Sequence, residues 1–203
     1  MQFYPLDIGD TDSIAAFASA LKQNFSRVNV LIHNAGIQRL EDLTAGAVFN
    51  AEETIATNLL GPIRLTAALL PMLMERRYAA ILTVTSELAF VPQAMTPTYC
   101  ATKAALHSYT QSLRFQLRDT SVEVIEIIPP WVQTSLQGDD GNNPAAMPLH
   151  DFIAETMLLL QTMPAAEEII VERAKAARFA ESRGDFDVAF SALNGTATNS
   201  DAD

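Results

Sequence analysis

Tyr99 and Lys103 are the residues of this sequence whose types and spacing most clearly suggest chemistry. Side chains four residues apart share one face of a helix. A lysine ammonium beside a phenol favours the phenolate, so we expect Lys103 to lower the Tyr99 pKa from about 10. Ser86 ends an apolar segment, and its hydroxyl can hold a carbonyl or an alcohol near that phenol. The three side chains therefore predict proton exchange with a C–O group, as hydride transfer to or from that group requires.

The elements that position these side chains alternate between short apolar segments and longer amphipathic ones, which is typical of β-α units and a parallel sheet. The pattern predicts strands over residues 2–6, 28–32, 80–85 and 122–128. It predicts helices over residues 12–25 with Asp12 as the N-cap, and over 52–76, 99–116, 151–160 and 165–183. Residues 131–150 contain two glycines and two prolines and are predicted to form a flexible loop. The sequence thus predicts one α/β domain over residues 1–193, followed by a disordered polar tail over 194–203.

Composition limits the classes of partner. The net charge of -11 and the absence of any basic cluster larger than Arg76-Arg77 argue against nucleic acid. No apolar run reaches the roughly 18–20 residues of a membrane span, and no signal peptide is recognisable. The single cysteine, Cys100, excludes an intramolecular disulfide and predicts a cytoplasmic protein. The three histidines are isolated in the sequence, so no metal site is predicted, and we assign Cys100 and His107 to packing.

The order of these elements, from residue 2 to about residue 134, resembles the short-chain dehydrogenase/reductase family. The resemblance implies a Rossmann-like doubly wound parallel sheet and an oxidoreductase that uses NAD or NADP on a small carbonyl or alcohol substrate. It also implies four catalytic residues, and the positions that match them are Asn58, Ser86, Tyr99 and Lys103. Local physics adds to the assignment of Asn58, because Pro62 has no N–H to donate to the Asn58 carbonyl. That carbonyl can hold a water that links Lys103 to solvent, although a bent packing helix is an alternative reading.

The same resemblance implies a set of cofactor-binding residues: Asp7, Asn34, Ala35, Gly36, Pro129 and Thr134, together with Tyr99 and Lys103. For Asp7 the alternative is an acidic residue that stabilises a helix N-terminus, and for Gly36 it is a tight turn. Two positions depart from the family pattern. His33 stands where the family has Asn, and Pro130 stands where it has Gly, which makes the loop geometry after residue 129 less certain.

The glycine-rich turn that holds the cofactor pyrophosphate in this family has no counterpart in the sequence, where no two glycines are separated by a single residue. We therefore expect an N-terminally truncated family member, incomplete at the N-terminus of its sheet, that does not bind NAD(P) measurably and is inactive by itself. The strand over residues 2–6 would then pair directly with the next strand, remain unpaired, or leave a gap that another chain fills. The alternatives to an enzyme are a non-catalytic scaffold or interaction protein and a cofactor-sensing module. Family resemblance further implies a homodimer or homotetramer, formed through residues 58–76 and 99–116.

Overall fold

The computed structural model describes residues 2–46, 48–138 and 143–195. Within them, four parallel strands form one sheet in the order β1-β2-β3-β4. The strands are β1 (Val30–His33), β2 (Ala79–Val84), β3 (Val122–Ile128) and β4 (Glu168–Ile170). In register, Leu31 lies beside Ile81 and Ile81 beside Val124.

Helices connect the strands and cover both faces of the sheet. They are α1 (Thr11–Asn24), α2 (Phe49–Ile55), α3 (Gly61–Met74), α4 (Pro97–Leu117), α5 (Leu149–Thr162), α6 (Lys175–Arg178), α7 (Ala180–Arg183) and α8 (Phe186–Asn194). On one face Ile81 and Val124 pack with Leu73 of α3 and Leu113 of α4. On the other face Leu82 and Ile127 pack against α5. Successive strand residues thus point to opposite helical layers, which confirms the predicted doubly wound parallel sheet.

Residues 2–6 do not form the predicted strand. No strand of the described residues pairs with them, so they lack the ladder of hydrogen bonds that defines a strand. They are anchored by side chains instead. The Tyr4 ring packs edge-on against Phe25, and Leu6 packs against the cluster between α1 and α3. The predicted N-cap of α1 is also wrong, because Asp10, not Asp12, accepts the hydrogen bond of the first turn.

The C-terminal quarter differs most from the prediction. Residues 165–183 do not form one helix, because residues 168–170 pair with β3 as strand β4. Ile169, Ile170 and Val171 are β-branched and suit a buried strand better than a helix. The sequence reasoning also missed α8, which extends through Asn194 into the predicted tail. The Asn194 side chain accepts the N–H of Ala94 at 2.6 Å and donates to the carbonyl of Pro92 at 3.0 Å, so this residue belongs to the domain. Residues 196–203 lie outside the described residues.

Strand β1 forms one edge of the described sheet, as its neighbours show. Only one face of it is covered. Leu31 packs with both clusters beneath α3, whereas Val30 and Ile32, on the opposite side, are 46% and 55% exposed. An edge strand with exposed β-branched side chains can pair with another chain.

The helical region predicted over residues 52–76 is one continuous run from Phe49 to Met74 with a π-helical turn, Ala56–Leu60, in its middle. Pro62 follows that turn, and π-turns often accompany functional residues. By length and composition alone this run could span a membrane. Leu65, Leu69 and Met72, however, pack against α1, which is typical of the core helix of a soluble domain.

Gly61 directly follows the π-turn and lies against Ile8, in the segment that precedes α1. A Cβ at this position would lie 2.6 Å from the carbonyl oxygen of Ile8 and 2.5 Å from its Cγ1. Because backbone cannot move aside cheaply, we expect Gly61→Ala to reduce the free energy of unfolding by about 1–3 kcal/mol, as overpacking typically does.

Denaturant titration measures this loss, with Ala67→Gly as the matched control. Ala67 is exposed in the same helix, so its variant isolates helix propensity, which costs about 1 kcal/mol for glycine. Without the clash, Gly61→Ala would stabilise the protein by a similar amount, and such a gain would contradict the close contact with Ile8.

Candidate active site

The carboxyl ends of three strands and one helix N-terminus meet around a single cavity. Asn34 follows β1, Ser86 follows β2, Pro129 follows β3, and Tyr99 lies in the first turn of α4. All four line a cavity of about 810 Å³, and so do Gly36, Lys103 and Thr134. The structure thus brings together seven of the residues singled out in the sequence, at the edge where open parallel sheets bind ligands.

Tyr99 is buried, with 5% of its surface exposed. Burial raises the pKa of its phenol to about 12, and a hydrogen bond with Ser86 partly opposes that rise. This direction is opposite to the lowering expected from Lys103. The reason is geometric: the Lys103 ammonium lies 5.5 Å from the centre of the Tyr99 ring, and the desolvation of the phenolate outweighs any attraction. The Tyr99 phenol is therefore protonated at neutral pH.

Lys103 is buried one helical turn after Tyr99, with 5% of its surface exposed. Its Nζ donates a hydrogen bond to the carbonyl oxygen of Val84 at 2.8 Å. Burial lowers the pKa of Lys103 to about 8. Lys103 therefore keeps its positive charge at neutral pH, and it loses the proton only slightly above neutral pH.

Asn58 is not among the residues that line the cavity, but it forms hydrogen bonds with Ile37, the neighbour of the lining residue Gly36. Its Oδ1 accepts the N–H of Ile37 at 2.8 Å, and its Nδ2 donates to the Ile37 carbonyl at 2.8 Å and to Thr102 at 3.3 Å. A Cβ at Gly36 would lie 3.2 Å from Asn58 Oδ1 and 3.9 Å from Lys103 Nζ. Asn58 therefore connects the turn after β1 to Thr102 of α4, and the small Gly36 allows this close approach.

Asp7 and Ala35, also predicted to bind cofactor, are not among the residues that line the cavity. Asp7 is exposed, and its Oδ1 accepts the N–H of Gly9 at 2.9 Å in the turn before α1. Ala35 is exposed between Asn34 and Gly36. The cofactor contacts predicted for Asp7 and Ala35 therefore remain predictions.

Glu87 is a site residue that sequence reasoning missed. It follows Ser86 directly and is one of the residues that line the cavity. Its backbone N–H donates to the Pro129 carbonyl at 2.9 Å, and its Oε1 accepts the N–H of Trp131 at 2.9 Å. Two contacts from one residue thus hold the Pro-Pro-Trp segment whose geometry the sequence left uncertain. A carboxylate placed directly after a strand-end serine was the available signal.

The loop over residues 131–150 is more ordered at its ends than predicted. Met147 donates its N–H to the Trp131 carbonyl at 2.8 Å, and Gln133 donates its N–H to the Met147 carbonyl at 2.8 Å. Residues 139–142, in its centre, lie outside the described residues. Beyond the loop, α5 and α8 complete the cavity wall with Leu149, Phe152, Ala192 and Leu193.

Comparison with known proteins places this arrangement in a family. The family model for short chain dehydrogenases matches residues 1–145. The chain belongs to the short-chain dehydrogenase family. Over 132 residues, 64% of this chain and 52% of the relative, it is 47% identical to the uncharacterized oxidoreductase DltE of Bacillus subtilis. It is also 30% identical over 173 residues, 79% of this chain and 69% of the relative, to the NADP-dependent 3-hydroxy acid dehydrogenase YdfG of Shigella flexneri.

Solved structures show the same short-chain dehydrogenase fold. A short chain dehydrogenase from Burkholderia cenocepacia, in complex with NADP, superposes with a TM-score of 0.77. It is 23% identical, and the match covers 91% of this chain and 78% of that one. The chain spans about half the length of the first curated relatives it matches, between 40% and 57%.

The short-chain dehydrogenase family implies a nicotinamide cofactor, and the residues of this chain suit one part of it. Gly36, Lys103 and Thr134 face one cavity beside Tyr99, and the small Gly36 leaves room for a ligand next to the Lys103 ammonium. These residues suit the nicotinamide and its ribose. Among the described residues no glycine-rich turn faces this cavity to hold a pyrophosphate, and the 203-residue sequence contains no such motif.

A charged cluster lies between α4 and β3, and its residues are not among those that line the cavity of this short-chain dehydrogenase. His107, Glu126 and Glu168 bring their ligand atoms within 4.8 Å of one another, which was not foreseen from the isolated histidines. Each already has a partner. Glu126 accepts from Thr85 at 2.6 Å and contacts His107 Nδ1 at 2.7 Å, while Glu168 accepts two bonds from Arg178 at 2.8 and 2.9 Å. We interpret the cluster as a hydrogen-bonded ion-pair network that ties α4 and α6 to the sheet.

His33, which replaces the family Asn, is buried at the end of β1. Its Nε2 contacts Thr66 Oγ1 at 2.8 Å, and its Nδ1 has no hydrogen-bond partner within the described part of the chain. Burial lowers the His33 pKa from 6.5 to about 4. The folded chain thus keeps the ring neutral between these values, whereas the unfolded chain takes up a proton there.

We expect this difference to make the fold sensitive to acid. Because the unfolded state binds more protons between pH 6.5 and about 4, stability falls as the pH decreases through that window. When the pH is lowered from about 7 to about 5, protonation of His33 in the unfolded state should reduce the free energy of unfolding by about 2 kcal/mol. Denaturant titrations at both values measure it. His33→Asn should remove this part of the loss, and His150→Asn, at an exposed site, should retain it. An unchanged pH slope in His33→Asn would contradict the assignment.

Proposed function

We propose that this chain forms the catalytic and substrate-binding part of an NAD(P)-dependent oxidoreductase that interconverts a small alcohol and its carbonyl compound. The observation that supports it is the convergence of Ser86, Tyr99 and Lys103 on one cavity beside Asn34 and Thr134. The cavity, about 810 Å³ in volume, is within the size range of small-molecule sites.

In the proposed reaction Tyr99 exchanges the proton. Its raised pKa keeps the phenol protonated at neutral pH, so it can donate to the oxygen of a carbonyl that is being reduced. Ser86 shares a hydrogen bond with that phenol and orients the same oxygen. The hydride itself is what NAD(P)H supplies when it is bound.

Lys103 and Asn58 have supporting roles. The Lys103 ammonium binds the nicotinamide ribose and stabilises negative charge on the Tyr99 oxygen as it gives up its proton. Its pKa, lowered to about 8, suits a group that passes protons onward. Asn58 positions the turn around Gly36, and a water on its main-chain carbonyl would connect Lys103 to solvent. This proton relay is part of the proposal.

We further propose that the 203 residues do not turn over substrate by themselves, because the pyrophosphate grip is not encoded in them. We place the whole protein in the cytoplasm and expect it to be a homodimer or homotetramer. Exposed apolar side chains along the α2–α3 region and α4, namely Phe49, Ile55, Leu60 and Phe115, support the oligomer.

The test is a pair of proteins assayed for alcohol oxidation with NAD and with NADP. One is the 203-residue chain, and the other is a fusion that places the glycine-rich β-α-β unit typical of the family before Met1. We expect turnover from the fusion, observed as reduced nicotinamide, and none from the chain. A folded fusion that binds NADP but oxidises no alcohol in a broad panel would favour the non-catalytic scaffold instead.

A further inference from the structure

The cavity has an unequal distribution of charge that bears on its substrate. Only two ionisable side chains other than Tyr99 are found among its described lining residues, Glu87 and Lys103. The Lys103 ammonium already donates to the Val84 carbonyl. Neither arginine nor histidine lines the cavity among the described residues. Among the described lining residues there is therefore no guanidinium to hold a substrate carboxylate in a bidentate pair.

Glu87 is held firmly enough to act as a recognition group. It begins the short turn Glu87–Ala89, which Ser86 caps by accepting the N–H of Leu88 at 3.1 Å. Among the described residues, the carboxylate accepts one hydrogen bond, which the Trp131 N–H donates to its Oε1. A carboxylate has about four acceptor positions. Most of its capacity is therefore available to a ligand in the cavity.

One part of the wall is apolar, while Asn34, Gln38, Gln93 and Thr134 make another part polar. Pro130, Trp131 and Val132 come from the segment after β3, Phe152 comes from α5, and Leu193 comes from α8. A substrate that fits this wall has an apolar body, with its reacting oxygen at Ser86 and Tyr99. The Glu87 charge is close enough to Tyr99 to contribute to the raised pKa of that phenol, so its carboxylate lies near the position of the reacting C–O group.

On this geometry, and resting on the proposed function, we infer that Glu87 selects substrates carrying a hydrogen-bond donor near the reacting C–O group, a protonated amine above all, and rejects carboxylates. An amine donates to the Glu87 carboxylate in a charge-assisted hydrogen bond. An acid, such as the 3-hydroxy acids in the name of the Shigella flexneri relative, would place its own carboxylate against that of Glu87. The expected substrate class is an amino alcohol or the corresponding amino ketone.

The protonation of Glu87 makes this selectivity depend on pH. Burial raises the Glu87 pKa to about 7. The other titratable groups that face the cavity are Tyr99, with a pKa of about 12, and Lys103, with a pKa of about 8. Raising the pH from about 6 to about 8 ionises Glu87 and begins to discharge Lys103, so both changes strengthen the binding of an amine.

The experiment measures binding, not turnover, on the 203-residue chain. Three alcohols of matched shape, which carry an ammonium, a methyl or a carboxylate group on the carbon next to the carbinol, serve as probes: 2-amino-1-phenylethanol, 1-phenylpropan-1-ol and 3-hydroxy-3-phenylpropanoate. Calorimetry gives their affinities, and the emission of Trp131, the single tryptophan of the sequence, reports whether each probe enters the cavity. At about pH 8 we expect the amine to bind at least about tenfold more tightly than the methyl compound, a difference of about 1.4 kcal/mol. We expect the carboxylate probe to bind most weakly.

Two variants separate Glu87 from the general charge of the chain. Glu87→Gln keeps an oxygen for the Trp131 N–H and should reduce the amine preference to less than about threefold. Glu123→Gln removes the same charge at an exposed site on β3 and should leave the preference unchanged. In the unmodified chain, the preference should decline between about pH 8 and about pH 6, a result that needs no variant.

Equal affinities for the three probes would overturn the inference. So would an amine preference that remains in Glu87→Gln, or a result in which none of the three probes binds. Turnover is a separate outcome. A chain that discriminates among the probes as expected, while the fusion with the glycine-rich unit oxidises no alcohol, would leave the recognition role of Glu87 intact and overturn the proposed reaction. Turnover by the fusion without discrimination would do the reverse.

Discussion

Tyr99→Phe should lower the rate of alcohol oxidation by the active fusion by about 10²–10⁴-fold, the range typical of a lost general acid or base. The variant keeps the ring and deletes the hydroxyl that shares a hydrogen bond with Ser86. Since Tyr99 is 5% exposed and packs mainly through its ring, the fold should be unaffected. The measurement is kcat/KM for the best alcohol, with circular dichroism to verify folding.

Tyr109→Phe is the matched control for this experiment. Tyr109 lies in the same helix, α4, and is half-buried, but it does not line the cavity. Its variant should keep a rate within about threefold of the parent, because it removes a hydroxyl distant from the reacting atoms. Full activity in Tyr99→Phe would show that another group carries the proton.

The second large effect concerns affinity for the cofactor. The 203-residue chain should bind NADH and NADPH no more tightly than about 100 µM, about -5.5 kcal/mol. Dinucleotide affinity depends on backbone N–H donors and a helix N-terminus at the pyrophosphate, and the sequence has no glycine-rich turn to form them. The fusion with the glycine-rich unit should bind at least about 100-fold more tightly, a difference of about 2.8 kcal/mol.

Calorimetric titration of both proteins decides this prediction. As a control, Lys103→Met in the fusion should weaken binding, because the ammonium faces the cavity beside Gly36. Saturable binding by the 203-residue chain well below 100 µM would mean that another surface of the chain holds the pyrophosphate.

The class of fold and the candidate catalytic positions could be predicted from the sequence. Ser86, Tyr99 and Lys103 were found because their positions follow local rules: a strand end for Ser86 and one helix face for Tyr99 and Lys103. The α/β class followed from the alternation of apolar and amphipathic segments, which reflects burial on both faces of a parallel sheet. Pro62 likewise indicated a disturbed helix near Asn58, where the structure has a π-turn.

Features that depend on residues distant in sequence became apparent in the folded structure alone. Residues 2–6 have the composition of a strand but no strand of the described residues pairs with them, whereas residues 168–170, which begin with Glu168 and follow Glu167, form β4 because β3 lies beside them. The Tyr99 pKa moved upward because burial, which no local spacing reveals, outweighs the effect of Lys103. Glu87 became a candidate only when the cavity showed which side chains meet there and that arginine is not among its described lining residues. Strand pairing, desolvation and cavity lining all arise from residues far apart in sequence, which is why a reading of local pattern could not supply them.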